Sequence, residues 1–229
     1  MNKYVVLIPA YNPTDDLLKI IEELNEKKLS VVVVNDGSDK NYDSIFTKIE
    51  NKAIVLKHRK NSGKGVALKT GLKYIRDNFK EYTIVTMDAD GQHTVSDAIK
   101  LCDYASKNKD TLVLGSRILS KTDPIRSRIG HAITRKIFSL FTGTKIYDTQ
   151  TGLRAFSYDL VDKLLKINGN RYEYEMNMLL TFSKEGIPIK ELKIKTIYID
   201  NNSSSHFKAF KDSYRIYKVI LKHIINTNI

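Results

Sequence analysis

The chain has 229 residues, a formal net charge of +12 and one cysteine, Cys102. Its hydrophobic content of 41% and charged content of 28% exclude a disordered or fibrous chain and fit one globular domain. The single cysteine excludes an intramolecular disulfide and a thiolate metal cage. The positive charge predicts an anionic partner, which could be nucleotide phosphates, nucleic acid or an acidic membrane surface.

The first half of the chain alternates short apolar runs with helical patterns. Continuous apolar runs predict buried strands over 4–8, 31–34, 54–56, 84–87 and 112–114. Apolar residues at helical spacing predict helices over 17–24, 66–79 and 96–106. This alternation predicts an α/β fold with a doubly wound, mainly parallel sheet and helices on both faces.

A polar cluster follows each predicted strand. The five clusters lie at 9–12, 35–38, 61–65, 88–93 and 115–117. Ligands of such sheets bind outside the carboxyl ends of the strands. The sequence therefore predicts a single ligand site where these clusters converge.

The fourth cluster carries two aspartates, Asp88 and Asp90, that are separated by one residue. Carboxylates this close repel each other unless a cation lies between them, and Mg²⁺ or Mn²⁺ prefers oxygen ligands. The alternative is a strand that ends in a polar turn with Gly91. Nearby, His93 is a metal ligand, a group that supports the metal ligands, or else a solvent-exposed loop residue, and Gln92 is a weaker candidate of the same kind.

Two further clusters carry candidate residues for a nucleotide. Asp36 is predicted to accept hydrogen bonds from a base or ribose, or else to form an Asx-turn with Gly37. Lys64 lies between two glycines without the spacing of a Walker motif. It is either a phosphate contact or part of an ordinary helix N-terminus.

Charged residues of the second half allow both functional and structural interpretations. Asp148 is a candidate general base or acceptor-orienting group and Arg154 a candidate phosphate ligand, or the two form a structural salt bridge. Glu173 and Glu175 are predicted to open a helix as partners of its dipole. One of these two glutamates facing the cleft is the less favoured alternative.

Two basic segments, 117–145 and 207–229, are also amphipathic. The first carries seven lysines and arginines against one aspartate, and the second carries five against one. Such helices suit an anionic bilayer surface, although their apolar faces could instead pack on the sheet. No apolar stretch approaches the roughly 20 residues of a membrane-spanning helix, so we expect any membrane contact to be made from the surface.

These motifs together resemble the family 2 inverting glycosyltransferases of GT-A fold, and within them the dolichyl-phosphate mannose synthase-like branch. The matching segments are 8–12, 34–38, 63–65, 88–93, 115–117 and 148–154. The resemblance implies a Rossmann-like catalytic domain over 1–200. Residues 201–229 are expected to form a basic amphipathic helix that belongs to the same domain or contacts a membrane.

The resemblance also implies roles for individual residues. Asp36 would contact the nucleotide base, while Asp88 and Asp90, joined by Gln92, would hold Mg²⁺ or Mn²⁺ on the donor diphosphate. Arg117 and Arg128 would meet the phosphate of a lipid acceptor, with Arg154 as the third candidate there. The other candidate donor-binding residues are Pro9, Tyr11, Asn12, Lys64 and Ala89.

The chain departs from the mannose synthases at 202–208, where those enzymes usually carry an arginine and a lysine. The resemblance therefore does not identify the sugar that is transferred. Many relatives append membrane helices after the catalytic domain, and here we expect a separate protein to supply any membrane anchor. The expected location is the cytoplasm, peripheral on the inner face of the cell membrane.

The predicted function is metal-dependent, inverting transfer of a sugar from a UDP- or GDP-sugar to a polyprenyl phosphate. A phosphate acceptor is already anionic at neutral pH and needs no strong base, whereas a hydroxyl acceptor would make Asp148 the leading base candidate. The rivals are transfer to a hydroxyl of a surface glycan or teichoic-type polymer, nucleotidyl transfer, and nucleic-acid binding. We expect no nucleic-acid partner, because the basic segments carry aliphatic stripes.

Overall fold

The computed structural model describes residues 3–117, 125–195, 197, 215 and 218–220, with only the backbone of 125–131. In this part of the chain the strands are β1 Tyr4–Ala10, β2 Ser30–Asn35, β3 Ile54–Lys57, β4 Thr83–Thr86, β5 Leu112–Arg117, β6 Arg154–Ser157 and β7 Ile189–Ile194. The helices are α1 Asp16–Glu26, α2 Asp43–Ile49, α3 Lys64–Asn78, α4 Val95–Lys107, α5 Ile125–Thr142, α6 Val161–Lys166 and α7 Glu173–Lys184. The five predicted strands are all present, as are the helices predicted over 17–24, 66–79 and 96–106, the helix that Glu173 begins and the helix of the first basic segment.

The strands form one sheet in the order β3-β2-β1-β4-β6-β5-β7. All neighbours pair in parallel except β6, which runs antiparallel to both β4 and β5. The mainly parallel, doubly wound α/β fold predicted from the sequence is confirmed. The strands β6 and β7 and the short helices α2 and α6 were not predicted.

Alternate residues of β1 enter two separate hydrophobic cores, because successive side chains of a strand point to opposite faces. Val5 and Leu7 pack in one core with the apolar face of α3. Val6 and Ile8 pack in the other with the buried faces of α1 and α4. The continuous apolar run of β1 is therefore explained by helices that cover both faces of the sheet.

The chain order reverses between β1 and β4. From β1 the chain continues to β2 and β3 on one side, and it then returns to β4 on the other side of β1. A crevice opens at the carboxyl ends of strands where such a reversal occurs, and ligands of α/β sheets bind there. The loops that follow β1, β2 and β4 surround this crevice.

The predicted C-terminal helix falls mostly outside the described residues. Of this segment, Arg215 and 218–220 are described, and they are helical. Ile220 is buried in the same hydrophobic core as Phe138 of α5. The boundary at residue 200 between the catalytic domain and the C-terminal helix stays a prediction. Among the described residues, no helix combines the length and apolar character needed to cross a bilayer.

Candidate functional site

Asp88 lies just beyond β4, opposite Gly152 in the loop that precedes β6. The antiparallel pairing of these strands sets Thr86 opposite Arg154, and the same register continued by two residues brings Gly152 to Asp88. Thr86 Oγ1 donates a hydrogen bond to Gly152 O at 2.8 Å. A Cβ at position 152 would overlap the Asp88 carboxylate, so the close approach requires glycine.

The Lys64 ammonium neutralises Asp88. Its Nζ lies 2.7 Å from Asp88 Oδ1 and 3.0 Å from Glu175 Oε2. Burial opposes the charge of the lysine, but the charges of Asp88 and Glu175 outweigh burial and raise the pKa of Lys64. Burial also acts against ionised Asp88, yet Lys64 holds the pKa of that carboxyl well below its ordinary value. Both groups are therefore charged at neutral pH.

Asp90 is the carboxylate that a further cation would stabilise. Burial, and then the charge of Asp88, raise the pKa of Asp90. Its Oδ1 accepts the backbone N–H of Gln92 at 3.1 Å, so the polar turn is also formed. Two carboxylates and an amide oxygen suit Mg²⁺ or Mn²⁺. The described residues contain no cluster of three Asp, Glu, His or Cys ligands, so phosphate oxygens and water would have to complete the coordination.

His93 is buried beside Asp88. Its ring Nε2 lies 3.7 Å from Asp88 Oδ2, and its Nδ1 is buried without a hydrogen-bond partner among the described residues. The alternative that His93 is a solvent-exposed loop residue is therefore wrong. The buried ring lies close enough to support the Asp88 carboxylate.

Asp36 organises the loop that leads into α3. It is 3% exposed, and its carboxylate accepts hydrogen bonds from His58 Nδ1 at 2.7 Å, Ser62 N at 2.9 Å and Gly63 N at 2.8 Å. The carboxylate of Asp36 is thus used in these bonds, and the nearby turn is held by Asn35, whose Oδ1 accepts the N–H of Ser38 three residues on. Asp36 thus fixes the backbone immediately before Lys64. Its contact with a nucleotide base stays a prediction.

Asp36→Ala is expected to lower the free energy of unfolding by roughly 2–4 kcal/mol, because it leaves buried donors without an acceptor. Urea denaturation followed by circular dichroism measures the loss. Asp43→Ala is the control, since Asp43 pairs with Lys57 on the surface and such pairs contribute at most about 1 kcal/mol. Equal losses in the two variants would contradict the assigned role of Asp36.

The loop after β1 is joined to the loop after β2. Asn12 Nδ2 donates to Asp39 Oδ2, and Asp39 N donates to Asn12 Oδ1, both at 2.9 Å. Asn12 adopts a left-handed conformation with φ of 47°, which asparagine tolerates better than most residues. Pro9 lies near the end of β1, Tyr11 follows that strand directly, and Ala89 packs against the hydrophobic core of α1 and α4. The predicted donor-binding residues of these loops therefore lie at the same edge of the sheet, at the carboxyl ends of its parallel strands.

Arg117 and Asp148 form an ion pair at the end of β5. Arg117 Nε donates to Asp148 Oδ2 at 2.9 Å, and the Arg117 backbone N–H donates to the same oxygen at 3.3 Å. Asp148 is 1% exposed, and its Oδ1 accepts the N–H of Gln150. A general base must reach the proton that it removes. The expectation that Asp148 is such a base is therefore not supported, and the carboxylate positions Arg117 instead.

The structure contradicts the assignment of Arg154 to an acceptor phosphate. Its side chain is 1% exposed, and its guanidinium donates to the carbonyl oxygens of Thr151 at 2.9 Å and Glu175 at 2.7 Å. Nor does it form the alternative salt bridge with Asp148, which pairs with Arg117. Arg154 ties the loop before β6 to α7. The side chain of Arg128, the third arginine predicted for the acceptor, lies outside the described residues.

The family model for "Glycosyl transferase family 2" matches residues 5–165 of the chain. The chain belongs to glycosyl transferase family 2. The matched range contains all the strands that surround the crevice, together with Asp36, Asp88, Asp90 and the Arg117–Asp148 pair. The resemblance inferred from the sequence is confirmed, and the protein is a glycosyltransferase.

Curated relatives of this family 2 glycosyltransferase span nearly its whole length. A UDP-N-acetylglucosamine–dolichyl-phosphate N-acetylglucosaminyltransferase of Methanococcus voltae is 31% identical over 92% of this chain and 93% of its own. A dolichyl-phosphate beta-glucosyltransferase of Dictyostelium discoideum is 28% identical over 92% and 72%. The crystal structure of GalNAc-T7 with UDP, GalNAc and Mn²⁺ shares the fold, with a TM-score of 0.55 and 15% identity over 96% of this chain and 48% of that one.

Glu175 lies in the candidate site of this glycosyltransferase. A glutamate facing the cleft was the less favoured of the two interpretations of Glu173 and Glu175. Glu173 lies in the first turn of α7, as predicted, and its Oε1 accepts the N–H groups of Asn170 and Arg171 in the loop before the helix. Glu175 instead turns inwards and pairs with Lys64. Because α7 begins after residue 165, Glu175 lies outside the segment that the family model matches.

Gly152→Ala is expected to reduce the glycosyltransferase activity by roughly 10²-fold, because displacement of a site group by about 1 Å has effects of this size. The added Cβ would push Asp88 out of place. Activity per folded molecule is the measurement. Gly71→Ala is the control, because its Cβ would press only on the Leu7 side chain in the core and should affect stability instead. Full activity in Gly152→Ala would contradict the role of the close approach.

Proposed function

We propose that this family 2 glycosyltransferase moves a sugar, with inversion, from a UDP- or GDP-sugar to a polyprenyl phosphate on the cytoplasmic face of a membrane. The observation that carries the proposal is the Arg117–Asp148 ion pair beside the aspartate pair. Its support from relatives is that two of them are named for transfer to dolichyl phosphate. They are named for different sugars, so the sugar carried by this enzyme is left open.

The donor end of the site would be built from the carboxylates after β4. Asp88, Asp90 and Gln92 would hold a divalent ion, which when bound would neutralise the charge of the departing nucleoside diphosphate. Lys64 adds a cation beside Asp88. The loops that Asp36 and Asn12 join would enclose the nucleoside. This arrangement supplies positive charge where the leaving group becomes more negative.

The acceptor end would be built around Arg117. A guanidinium offers a planar fork of donors that matches the oxygens of a phosphate, and the Asp148 bond at Nε fixes its plane. An oxygen of the bound phosphate would attack the anomeric carbon as the bond from that carbon to the diphosphate breaks. The diphosphate leaves with the bonding electron pair. No proton has to be removed from the acceptor, which agrees with the buried and occupied Asp148 carboxylate.

The test of the acceptor offers the purified protein a panel of UDP- and GDP-sugars with Mn²⁺. Polyprenyl phosphate and an oligosaccharide serve in parallel as acceptors. We expect a glycolipid product and no glycosylated oligosaccharide. Transfer to the oligosaccharide alone would favour a glycan or polymer hydroxyl as the natural acceptor. Salt-sensitive DNA binding without transfer of any sugar would overturn the proposal.

The exposed face of α5 supports contact with an anionic membrane surface. Leu140 is 75% exposed and Ile133 is 47% exposed, and Arg135 and Lys136 are exposed on the same helix. Phe138 is fully buried in the core. One face of the helix therefore packs on the domain, which is the alternative that the sequence analysis gave to membrane contact. Other apolar and basic side chains of the same helix stay exposed to solvent.

Vesicle binding is expected to depend on both lipid charge and this apolar face. The protein should sediment with vesicles containing phosphatidylglycerol far more than with phosphatidylcholine alone, since each basic residue near an anionic surface contributes about 1 kcal/mol. Leu140→Glu should reduce sedimentation several-fold. Ser44→Glu, an equal charge change at an exposed position of α2, should leave it unchanged. Equal sedimentation with both lipids would count against membrane contact.

A further inference from the structure

The Lys64 ammonium occupies a position between two carboxylates, one of which is a proposed metal ligand. It lies 2.7 Å from Asp88 Oδ1, 3.0 Å from Glu175 Oε2 and 5.7 Å from the centre of the Tyr172 ring. Its side chain is 14% exposed. Lys64 is the first residue of α3, and the preceding Gly63 is fixed by its hydrogen bond to Asp36. The lysine is therefore held with its charge at the edge of the metal site.

A divalent ion and this ammonium would compete for Asp88. Both are cations that bind the same carboxylate. Two positive charges held next to one carboxylate in a partly buried site repel each other strongly. A donor diphosphate changes the balance, because it brings negative charge that both cations can share. The ion alone should bind poorly, and the ion together with a nucleoside diphosphate should bind well.

Glu175 provides an alternative partner that keeps Lys64 in the site. Its carboxylate is 7% exposed, and Oε1 is buried without a hydrogen-bond partner among the described residues. The backbone of Glu175 is fixed as well, since its carbonyl oxygen accepts the Arg154 guanidinium. A buried carboxylate with an unused oxygen is costly unless a charged partner or ligand compensates it. Here the compensating partner is Lys64.

We propose that Lys64 is an exchangeable counter-ion that couples metal binding to nucleotide binding, with Glu175 as its positioning residue. This inference rests on the proposed function. Lys64 neutralises Asp88 in the ligand-free protein. When the donor and its divalent ion bind together, Lys64 turns to the diphosphate while Glu175 retains it, and Asp88 becomes available to the ion. The donor and the ion are then each favoured by the presence of the other.

The proposal predicts opposite effects of two substitutions on Mn²⁺ binding without nucleotide. Lys64→Met removes the competing cation and should tighten Mn²⁺ binding by about 5-fold or more, the lower end of usual coupling between sites. Glu175→Gln removes the second partner, leaves Lys64 wholly on Asp88 and should weaken Mn²⁺ binding. In Lys64→Met the factor by which UDP improves Mn²⁺ affinity should also fall by about 5-fold or more.

Electron paramagnetic resonance of free Mn²⁺, measured on the full chain with and without UDP, gives these affinities without reference to activity. GDP replaces UDP where UDP does not bind. Lys69→Met and Glu185→Gln are the controls. Lys69 lies on the same helix and contacts the Tyr174 ring instead of the aspartates, and Glu185 pairs with Lys163 on the surface. Lys64→Gln is a second variant for the case that Lys64→Met does not fold, as judged by thermal melting.

Lys64 variants that bind Mn²⁺ alone no more tightly than the unsubstituted protein would overturn the counter-ion inference and leave the proposed function standing. A Glu175→Gln variant that binds Mn²⁺ more tightly would also overturn it. If the unsubstituted protein binds neither Mn²⁺ nor nucleotide in any combination, the proposed donor site fails, and the inference fails with it.

Discussion

Asp90→Ala is expected to lower the rate of sugar transfer by roughly 10²–10³-fold and to abolish the effect of Mn²⁺ on nucleotide binding. Stabilisation of leaving-group charge by a metal contributes several kcal/mol to such reactions, and each 1.4 kcal/mol is about tenfold in rate. Asp90 is the relevant residue because burial, and then the charge of Asp88, raise its pKa, whereas the pKa of Asp88 is lowered. Asp88 already has Lys64 as a partner.

Calorimetry with UDP and GDP, each with and without Mn²⁺, measures the binding effect of Asp90→Ala, and single-turnover transfer measures the rate. Asp43→Ala removes an aspartate from a surface ion pair and should change neither quantity. An Asp90→Ala protein whose nucleotide affinity still rises with Mn²⁺ would show that the ion binds elsewhere. The proposed donor site would then be wrong.

Arg117→Lys is expected to reduce kcat/KM for the polyprenyl phosphate by about 10–100-fold while leaving nucleotide affinity nearly unchanged. Lysine keeps the charge but loses the planar fork, and hydrogen bonds to charged groups are worth about 1.5–3 kcal/mol. Asp148→Asn should act in the same direction with a smaller effect, since it weakens the bond that fixes Arg117. Both variants should therefore lower kcat/KM for the acceptor and leave the affinity for the donor nucleotide nearly unchanged.

Steady-state kinetics with the lipid acceptor varied at saturating donor measure both effects, and Arg76→Lys is the matched control on an exposed salt bridge. The size of the Asp148→Asn effect separates two roles. A positioning carboxylate predicts a modest loss without a change in the pH profile. A loss beyond about 10³-fold, with the pH dependence of kcat removed, would instead identify Asp148 as a general base acting on a hydroxyl acceptor.

Most of the strands that the sequence predicted are buried along their length between helices, and the exception is the half-buried edge strand β3. Parallel strands such as β1 and β2 are continuous apolar runs, so they are visible without knowledge of their partners. The strand β6 was missed because it begins with Arg154, an arginine that is buried. The edge strand β7 mixes apolar and charged residues and therefore contains no continuous apolar run.

The structure brings several predicted site residues together and contradicts the role predicted for Arg154, while the other roles stay predictions. Asp88 and Asp90 follow a buried strand, and the sequence alone indicated that they belong together. The partner of Asp148 could not be predicted, because the choice between Arg117 and Arg154 depends on tertiary packing. The bond from Lys64 to Glu175 joins residues from two different helices, and no sequence spacing reports it.

His58 is a half-buried partner of Asp36 that the sequence analysis did not identify. A usable signal existed, since β3 pairs in parallel with β2 and the two loops that follow these strands must be adjacent. A histidine directly after β3 is therefore within reach of an aspartate directly after β2. The hydrogen bond between His58 N and Asn35 O extends this pairing by one residue.

The reversed direction of β6 has a consequence for how such an enzyme can change its substrates. The strand β6 runs antiparallel to β4 and β5. The segment before β6, which carries Asp148 and Gly152, therefore lies at the same edge of the sheet as the loops that follow β1, β2 and β4. Under the proposed function, the loops after β1, β2 and β4 would bind the donor and the segment before β6 would position the acceptor. Substitutions in one of these stretches of sequence would then change one substrate without the other, provided that position 152 stays glycine.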